Sequence, residues 1–314
     1  MFVSDKPYSA RILARYTEHW DRRDDKRGMV HPLHLAAKYC SSVIIRFIGD
    51  WVGGWEYRDD SGRTPMHWAA LYGNVPAMRG LLKLGADIDA VDNEGNTPLH
   101  LAATKNDADV VDFFEMNDSQ AFTMQDHEGH TPLMRLVSSR TKWSEEMFST
   151  MVNCCPEAID MVDSQGWTAL HHAISHGFAD APYDFRAAGS KAHNMKCHAG
   201  DTPMHLAVLY NSVDCIRELW DNGSELDVQS NDGSTPMHIA ACFSELGVDL
   251  IGYLLLLCSR AYWIPDDLDR YPRDFMTAEQ AAKADALVPR MTMLEMVRLA
   301  ANVHSRVVAR RHLE

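Results

Sequence analysis

The chain has 314 residues and a formal net charge of −14, from 44 acidic and 30 basic side chains. This charge argues against nucleic acid or an anionic membrane as the main partner, because both attract clusters of cationic side chains. Seven cysteines, an odd number without a C-x-x-C pair, argue against a disulfide framework or a zinc site and favour a reducing compartment.

Neither a signal peptide nor a membrane span is predicted. The N-terminus carries charges at Asp5, Lys6 and Arg11 and has no long apolar run. The most apolar segment, 248–264, contains charged residues and is shorter than the about 20 residues that cross a bilayer. We therefore expect a soluble, cytoplasmic protein without direct membrane insertion.

The first predicted element is an amphipathic helix within residues 1–25. Residues 9–20 place Ile12, Leu13 and Tyr16 on one helical face. We expect this N-terminal helix to cap the apolar face of the repeated units that follow it.

A short block, written GRTPMHWAALYGN at residues 62–74, recurs along the chain. Its proline, or the residue in that place, recurs after 33, 33, 34, 37, 34 and 33 residues. These positions are Pro32, Pro65, Pro98, Pro132, Ala169, Pro203 and Pro236. Seven copies at a near-constant period indicate a repeat architecture, in which each unit packs against its neighbours instead of around one enlarged core.

Each block predicts a turn followed by two short antiparallel helices. Asp59, three residues before a glycine, is typical of an Asx turn with a positive φ at the glycine. Thr64 suits the N-cap of the first helix, and Pro65 suits its first position. The small pair 69–70 allows close helix packing, and a glycine near residue 85 ends the second helix.

The stretches DDSGRTPMHWAALYGN and DNEGNTPLHLAA resemble the ankyrin repeat, as do GDTPMHLAVLYNS and GSTPMHIAAC. The resemblance covers about residues 26–263. It implies an all-α solenoid of helix–turn–helix repeats with β-turn or hairpin loops and helical caps. The units fall near 26–58, 59–91, 92–125, 126–162, 163–196, 197–229 and 230–263.

Several units depart from the motif. His31 replaces the capping threonine in the first unit, and Met134 replaces the motif histidine in the fourth. The second helix of the fifth unit has few large aliphatic residues. We predict a hinge near residues 138–196, because weak neighbours form the softest point of a one-dimensional stack. Residues 264–314 predict a degenerate eighth repeat and a C-terminal helical cap.

Six histidines occupy the same slot of the repeat: His34, His67, His100, His171, His205 and His238. The resemblance implies that they hydrogen bond to the backbone of neighbouring turns, so we predict a structural role for them. The sequence contains neither a Gly-rich phosphate loop ending in Lys-Ser/Thr nor an H-E-x-x-H motif. We therefore predict no enzyme activity, no catalytic residues, no cofactor and no metal.

The resemblance places the binding surface on the turn tips and on the exposed side of the first helices. Large apolar side chains in slots that solvent reaches tend to mark interfaces, although such residues also pack between repeats. The candidates at the helix ends are Tyr39, Leu71, Tyr72, Lys105, His176, Leu209, Tyr210 and Phe243. The candidates at the turn tips are Arg63, Glu94, Glu128, Trp167 and Asp201.

These features predict a monomeric, non-catalytic scaffold or adaptor that binds a peptide or protein along a concave groove and the turn tips. The acidic tips and aromatic inner face suggest a partner with basic and apolar residues. Two other interpretations stay open. In the first, the chain is the substrate-recruiting module of a larger enzyme whose catalytic domain lies beyond residue 314. In the second, it is a host-directed microbial effector.

Overall fold

A computed structural model describes residues 31–52, 54–139, 143, 145–242 and 247–288. The predicted N-terminal capping helix, the last predicted helix of the C-terminal cap and Phe243 lie outside these ranges. The chain divides into two compact units, Met1–Ser164 and Gln165–Glu314, which are described separately below.

The first unit contains four helix pairs in its described part. The first helices of the pairs are α1 (Pro32–Tyr39), α3 (Pro65–Leu71), α5 (Pro98–Ala103) and α7 (Pro132–Val137). The second helices are α2 (Ser42–Val52), α4 (Val75–Lys83), α6 (Ala108–Glu115) and α8 (Glu145–Cys154), and a 3₁₀ turn, Pro156–Asp160, follows.

The second unit repeats this arrangement. Its first helices are α9 (Ala169–Ser175), α11 (Pro203–Leu209) and α13 (Pro236–Cys242), and its second helices are α10 (Ala181–Ala187), α12 (Val213–Asp221) and α14 (Gly247–Leu257). Short 3₁₀ turns lie at Ala192–Asn194, Ser259–Trp263 and Pro272–Phe275, and a helix α15 covers 278–288. The all-α repeat fold expected from the sequence is confirmed.

A threonine–histidine box begins most of the first helices. In α5 the hydroxyl of Thr97 accepts the amide hydrogen of His100, and the Nδ1 atom of His100 accepts the amide hydrogen of Thr97 at 3.1 Å. Two orphan amide groups of the helix start are thereby satisfied. In α1, where the threonine is missing, Nδ1 of His31 caps the helix by accepting from the amide of Leu33 at 3.2 Å.

Like helices stack on like within each unit. In the first unit α1, α3, α5 and α7 contact one another in order, and α2, α4, α6 and α8 form the second layer. Alanine pairs such as 36–37 and 69–70 are buried between the first helices, where a small side chain permits a close approach. Phe113 and Phe114 fill the second layer and are almost wholly buried. Each repeat therefore hides its apolar surface against the next repeat.

Backbone hydrogen bonds join the turn tips of successive repeats. In the first unit the amide of Asn93 donates to the carbonyl of Ser61 at 2.9 Å, and the amide of His127 donates to Glu94 at 2.9 Å. In the second unit the amide of His198 donates to Gln165 at 2.9 Å. The tips therefore form a continuous ladder along one edge of each unit.

The second unit also carries an eighth turn of the same type. The carboxylate of Asp266 accepts the amide hydrogens of Leu268 and Arg270, both at 2.9 Å. The amide of Asp267 donates to the preceding tip at the carbonyl of Asp232, at 3.1 Å. The 3₁₀ turn Pro272–Phe275 then packs against α13, in the place of a further first helix.

Candidate partner-binding surface

Buried histidines of five repeats bond to the turn that follows and so hold the exposed surface in register. Nε2 of His67 donates to the carbonyl of Asn96 at 2.9 Å, and Nε2 of His100 donates to the carbonyl of His130 at 2.9 Å. Since Nδ1 of each ring accepts a threonine amide, the neutral ring carries its hydrogen on Nε2. The equivalent bonds of the other repeats join His34 to Arg63, His205 to Ser234 and His238 to Arg270.

These histidines are neutral near pH 7. Burial lowers the pKa of His67, His100 and His205 to about 4 in each case. The hydrogen bonds to backbone carbonyls raise the pKa and offset only part of the effect of burial. A ring that is buried, capped on one nitrogen and bonded to a carbonyl through the other has no free site for a substrate proton. The geometry therefore fits a structural role and not general acid–base catalysis.

The exposed surface of interest runs along the C-terminal ends of the first helices. We call the two residues at each of these ends the helix-end row. In the first unit the row consists of Lys38–Tyr39, Leu71–Tyr72, Thr104–Lys105 and Ser138–Ser139. Tyr39 and Tyr72 expose 67% and 45% of their surface, Lys105 is exposed, and Leu71 is half-buried.

Lys38 joins the two tyrosines of neighbouring repeats. Its Nζ atom lies 3.9 Å from the ring centroid of Tyr72 and 4.8 Å from that of Tyr39. An ammonium group at this distance is attracted to the face of an aromatic ring. Hydrogen bonding to Tyr39 and then to Tyr72 raises the pKa of Lys38 above its ordinary value, so the ammonium stays charged. The cluster presents one fixed cation between two exposed aromatic rings.

The helix-end row of the second unit contains no lysine, no arginine and no carboxylate. It consists of Ser175–His176, Leu209–Tyr210 and Cys242, which precedes Phe243. Leu209 and Tyr210 expose 43% and 50% of their surface, and the neighbouring Val213 is exposed as well. His176 is exposed and bonds through Nδ1 to the carbonyl of His172 at 2.8 Å.

The turn-tip candidates divide into two classes. Glu94 and Glu128 are exposed, as expected for a tip. Arg63, Trp167 and Asp201 are only partly exposed. Arg63 points toward the buried carboxylate of Asp92 in the next turn. The ring centroid of Trp167 lies 5.3 Å from that of His172. Burial, and to a smaller extent the nearby charge of Asp232, raises the pKa of Asp201.

A charged cluster at one tip was not anticipated. Nε of Arg135 donates to the buried carboxylate of Asp126 at 2.8 Å, and its Nη2 reaches Glu128 at 3.2 Å. The carboxylate oxygens of Asp126 and Glu128 and an imidazole nitrogen of His130 lie within 4.8 Å of one another. Burial alone would raise the pKa of Asp126, but the backbone amide of His130 and the guanidinium of Arg135 outweigh it and lower that pKa. The guanidinium supplies the cation that these carboxylates face.

The sequence did contain a signal for this contact. Arg135 lies nine residues after Asp126, and Trp68 lies nine residues after Asp59. Both side chains donate to the aspartate of their own turn, Trp68 through Nε1 at 2.8 Å. Other exposed residues were missed altogether: Val43 and Phe47 on α2, and Leu268, which takes the tip position held by Ser61 in the second repeat.

A family model described as ankyrin repeats in three copies matches residues 8–92, 33–120 and 185–261, which together span more than half of the sequence. The chain belongs to the ankyrin-repeat family. Ankyrin repeats are typical protein–protein interaction modules, and the ankyrin-repeat fold is generally non-catalytic. Among the residues that the structure describes, no helix is both long and apolar enough to cross a membrane.

Relatives differ in how much of their length this ankyrin-repeat chain covers. It is 32% identical over 162 residues to a probable 26S proteasome regulatory subunit, p28, of Saccharomyces cerevisiae, covering 50% of this chain and 69% of that protein. It is 25% identical over 194 residues to the putative palmitoyltransferase ZDHHC13 of Danio rerio, covering 60% of this chain but only 29% of that protein.

A solved structure shows the same fold. The ankyrin repeat domain of Bcl-3 superposes with a TM-score of 0.59 at 19% sequence identity, over 68% of this chain and 95% of that domain. At this identity the likeness concerns the fold alone.

Proposed function

We propose that this ankyrin-repeat chain is a non-catalytic scaffold or adaptor that binds a peptide or protein partner. The contact surface comprises the helix-end row and the exposed turn tips of the repeats, which line the groove expected from the sequence. One observation carries the proposal: Tyr39, Tyr72 and Tyr210 are exposed at equivalent positions of different repeats, next to first helices that are otherwise largely buried.

The composition of this surface supports the proposal. Tyrosine combines a large apolar area with a hydroxyl group, and exposed aromatic residues are enriched at binding sites. Leu209 and Val213 extend the apolar surface around Tyr210 in the second unit. The contacts of Tyr72 with Trp68 and Lys38 leave 45% of its surface exposed, and an interface supplies a reason for exposed aromatic side chains that recur in one slot of the repeat.

The buried histidines support the non-catalytic part of the proposal. They recur in one slot of the repeat, and burial keeps the pKa of three of them, His67, His100 and His205, near 4. Groups that act as general acids or bases have pKa values closer to the working pH. A role in joining repeats accounts for all of their contacts.

A second candidate function is that the repeats recruit substrate for a larger enzyme. The similarity to the zebrafish putative palmitoyltransferase favours it, because this chain matches only 29% of that protein. The reading frame around the gene distinguishes the two candidates. The same contact surface would serve in both.

We place the protein in the cytoplasm. The support is compositional: none of the seven cysteines, all of which lie in the described residues, is bridged to another. Microscopy of a tagged chain at its native level tests this, and accumulation in the secretory pathway would contradict it.

Site-specific photo-crosslinking tests the contact surface. A benzophenone amino acid replaces Tyr72 or Tyr210, with Tyr183, which is exposed on the second helix α10, as the matched control. We expect partner adducts at the two helix-end positions and not at the control. The identified partner is then purified, and Tyr72→Ala and Tyr210→Ala are expected to weaken its binding by about 1–2 kcal/mol each.

The opposite pattern refutes the assignment. Adducts formed from position 183 alone would move the interface to the second helices. Unchanged affinity in both alanine variants would remove the helix-end row from the account of binding.

A further inference from the structure

The helix-end row of the first unit has a charge opposite to that of the whole chain. The chain carries a net charge of −14, yet the eight residues of this row include two lysines, two tyrosines and no carboxylate. The row therefore carries two cations and two aromatic rings on an acidic protein, and the carboxylate of Asp107 lies at its edge, beside Gly73. Overall composition does not predict it, and it distinguishes the first unit from the second, whose row lacks lysine.

Lys38 is held in place and remains available. Its ammonium group contacts the rings of Tyr39 and Tyr72, which belong to two different repeats, and its side chain is partly exposed to solvent. A fixed ammonium loses less conformational entropy on forming an ion pair than a freely moving lysine does. A lysine at a helix C-terminus also offsets the helix dipole, but that effect gives no reason for two exposed tyrosines beside it.

The acidic turn tips lie away from this row. The tips precede the first helices and the row follows them, and a helix such as α3, with 7 residues, is about 10 Å long. This distance is about one Debye length at physiological ionic strength. One of the tip carboxylates, that of Glu128, is in addition paired with Arg135 at 3.2 Å. A negatively charged group on the row therefore meets the lysines before it meets the tips.

We infer that the helix-end row of the first unit binds an acidic segment of a protein partner, with carboxylates on Lys38 and Lys105 and an apolar or aromatic side chain against Tyr39 and Tyr72. This inference rests on the proposed function and assigns the partner chemistry of one part of its surface. It replaces, for this row, the basic partner expected from the acidic tips.

A protein segment fits the row better than nucleic acid. Sequence-independent nucleic-acid binding needs several cations that follow a phosphate backbone. Here two described lysines lie two repeats apart, within an acidic chain. Carboxylates spaced along a peptide and interleaved with apolar side chains match lysines interleaved with tyrosines.

The test selects short peptides from a random phage-displayed library on the full chain. We expect the enriched peptides to carry several Asp or Glu residues and at least one large apolar residue, and to bind more weakly as NaCl is raised. The double variant Lys38→Glu/Lys105→Glu is expected to weaken such a peptide by about tenfold or more. The control, Lys83→Glu, changes an exposed lysine on the second helix α4 and is expected to leave binding unchanged.

A charge swap separates recognition from loss of structure. A peptide in which Lys replaces each Glu is expected to bind the double variant better than it binds the native chain. A misfolded variant could not gain affinity for the swapped peptide.

Three results would overturn the inference. The first is enrichment of basic peptides, and the second is no enrichment at all. The third is a single-stranded oligonucleotide that binds more tightly than any acidic peptide and that also depends on both lysines. Failure of this inference can be distinguished from failure of the proposed function. Basic peptides that lose affinity in Tyr72→Ala would leave the helix-end row as the binding surface while removing the acidic partner. Binding that is unchanged when Tyr39, Tyr72 and both lysines are substituted would count against both proposals.

Discussion

In the second, third, sixth and seventh repeats a histidine bonds to a threonine of its own turn and to a carbonyl of the next turn. His100 shows the full set: Nδ1 accepts from Thr97 at 3.1 Å, Nε2 donates to His130 at 2.9 Å, and the ring is wholly buried. Removal of the ring leaves the buried amide of Thr97 without a partner, takes from the carbonyl of His130 one of the two hydrogen bonds that it accepts, and opens a cavity.

We expect His100→Ala to lower the free energy of unfolding by about 2–4 kcal/mol. The control is His176→Ala, an exposed histidine at a helix end, which is expected to cost less than about 0.5 kcal/mol. Urea denaturation followed by circular dichroism measures both. Equal losses in the two variants would show that the bridging bonds contribute little.

The same histidines make stability depend on pH. Burial lowers the pKa of His67, His100 and His205 to about 4, whereas the pKa in an unfolded chain is about 6.5. Between these values the unfolded state binds more protons than the folded state. Stability is therefore complete above about pH 6.5 and is lost as the pH falls toward 4, with a slope of up to about 1.4 kcal/mol per pH unit for each histidine.

Urea denaturation midpoints measured between about pH 7.5 and about pH 4.5 check this dependence, because this interval covers the titration of histidine in the unfolded chain. The variant His100→Gln is expected to reduce the slope relative to that of the native chain. A stability that stays level across this interval would contradict the neutral, buried state of the rings.

At the scale of the element, the turn tips depend on glycine where two repeats come close. Gly166 has φ of 78°, and a Cβ there would lie 2.8 Å from the amide nitrogen of His198, the group that donates to Gln165. Gly223 has φ of 85°, but no heavy atom lies within 4 Å of its Cβ position. The two positions share a backbone conformation and differ in the space around them.

We therefore expect Gly223→Ala to cost about 1 kcal/mol, the penalty of a side chain at positive φ. Gly166→Ala is expected to cost about 2–4 kcal/mol, because the hydrogen bond between the two tips must also break. Thermal unfolding of both variants gives the comparison. A similar loss at the two positions would mean that the tip relaxes without breaking the ladder.

Sequence reasoning reached the helices through local chemistry. Thr97 and Pro98 mark a helix start, and the structure begins α5 at Pro98 with the threonine as its cap. Contacts between repeats were harder to predict, because they depend on the rotation of one helix against its neighbour. The position of Lys38 between Tyr39 and Tyr72 and the half-burial of Trp167 are set by that rotation. The contacts on which the proposed partner chemistry of the helix-end row rests therefore required the structure.

At the scale of the whole molecule, the stability of a repeat array is a sum over its repeats and the contacts between neighbours, so local opening begins where both are weakest. The second helices differ widely in what they bury. α6 buries Val110, Val111, Phe113 and Phe114, whereas α10 buries Ala181, Pro182 and Phe185. The fourth repeat in addition has Met134 where the others place the bridging histidine. The hinge near residues 138–196 stays a prediction, and these differences are its physical basis.

Native-state hydrogen exchange tests the hinge. Amides of 169–187 are expected to exchange faster than those of 98–115, because local opening exposes less apolar surface where the second helix buries fewer large side chains. Residues 98–115 provide the internal reference, since α5 carries the complete threonine–histidine box. Raising the temperature should widen the difference if the fifth repeat opens as a unit. Uniform protection of the two segments would show that neighbouring repeats compensate for the small core of α10, and the hinge would then have no energetic basis.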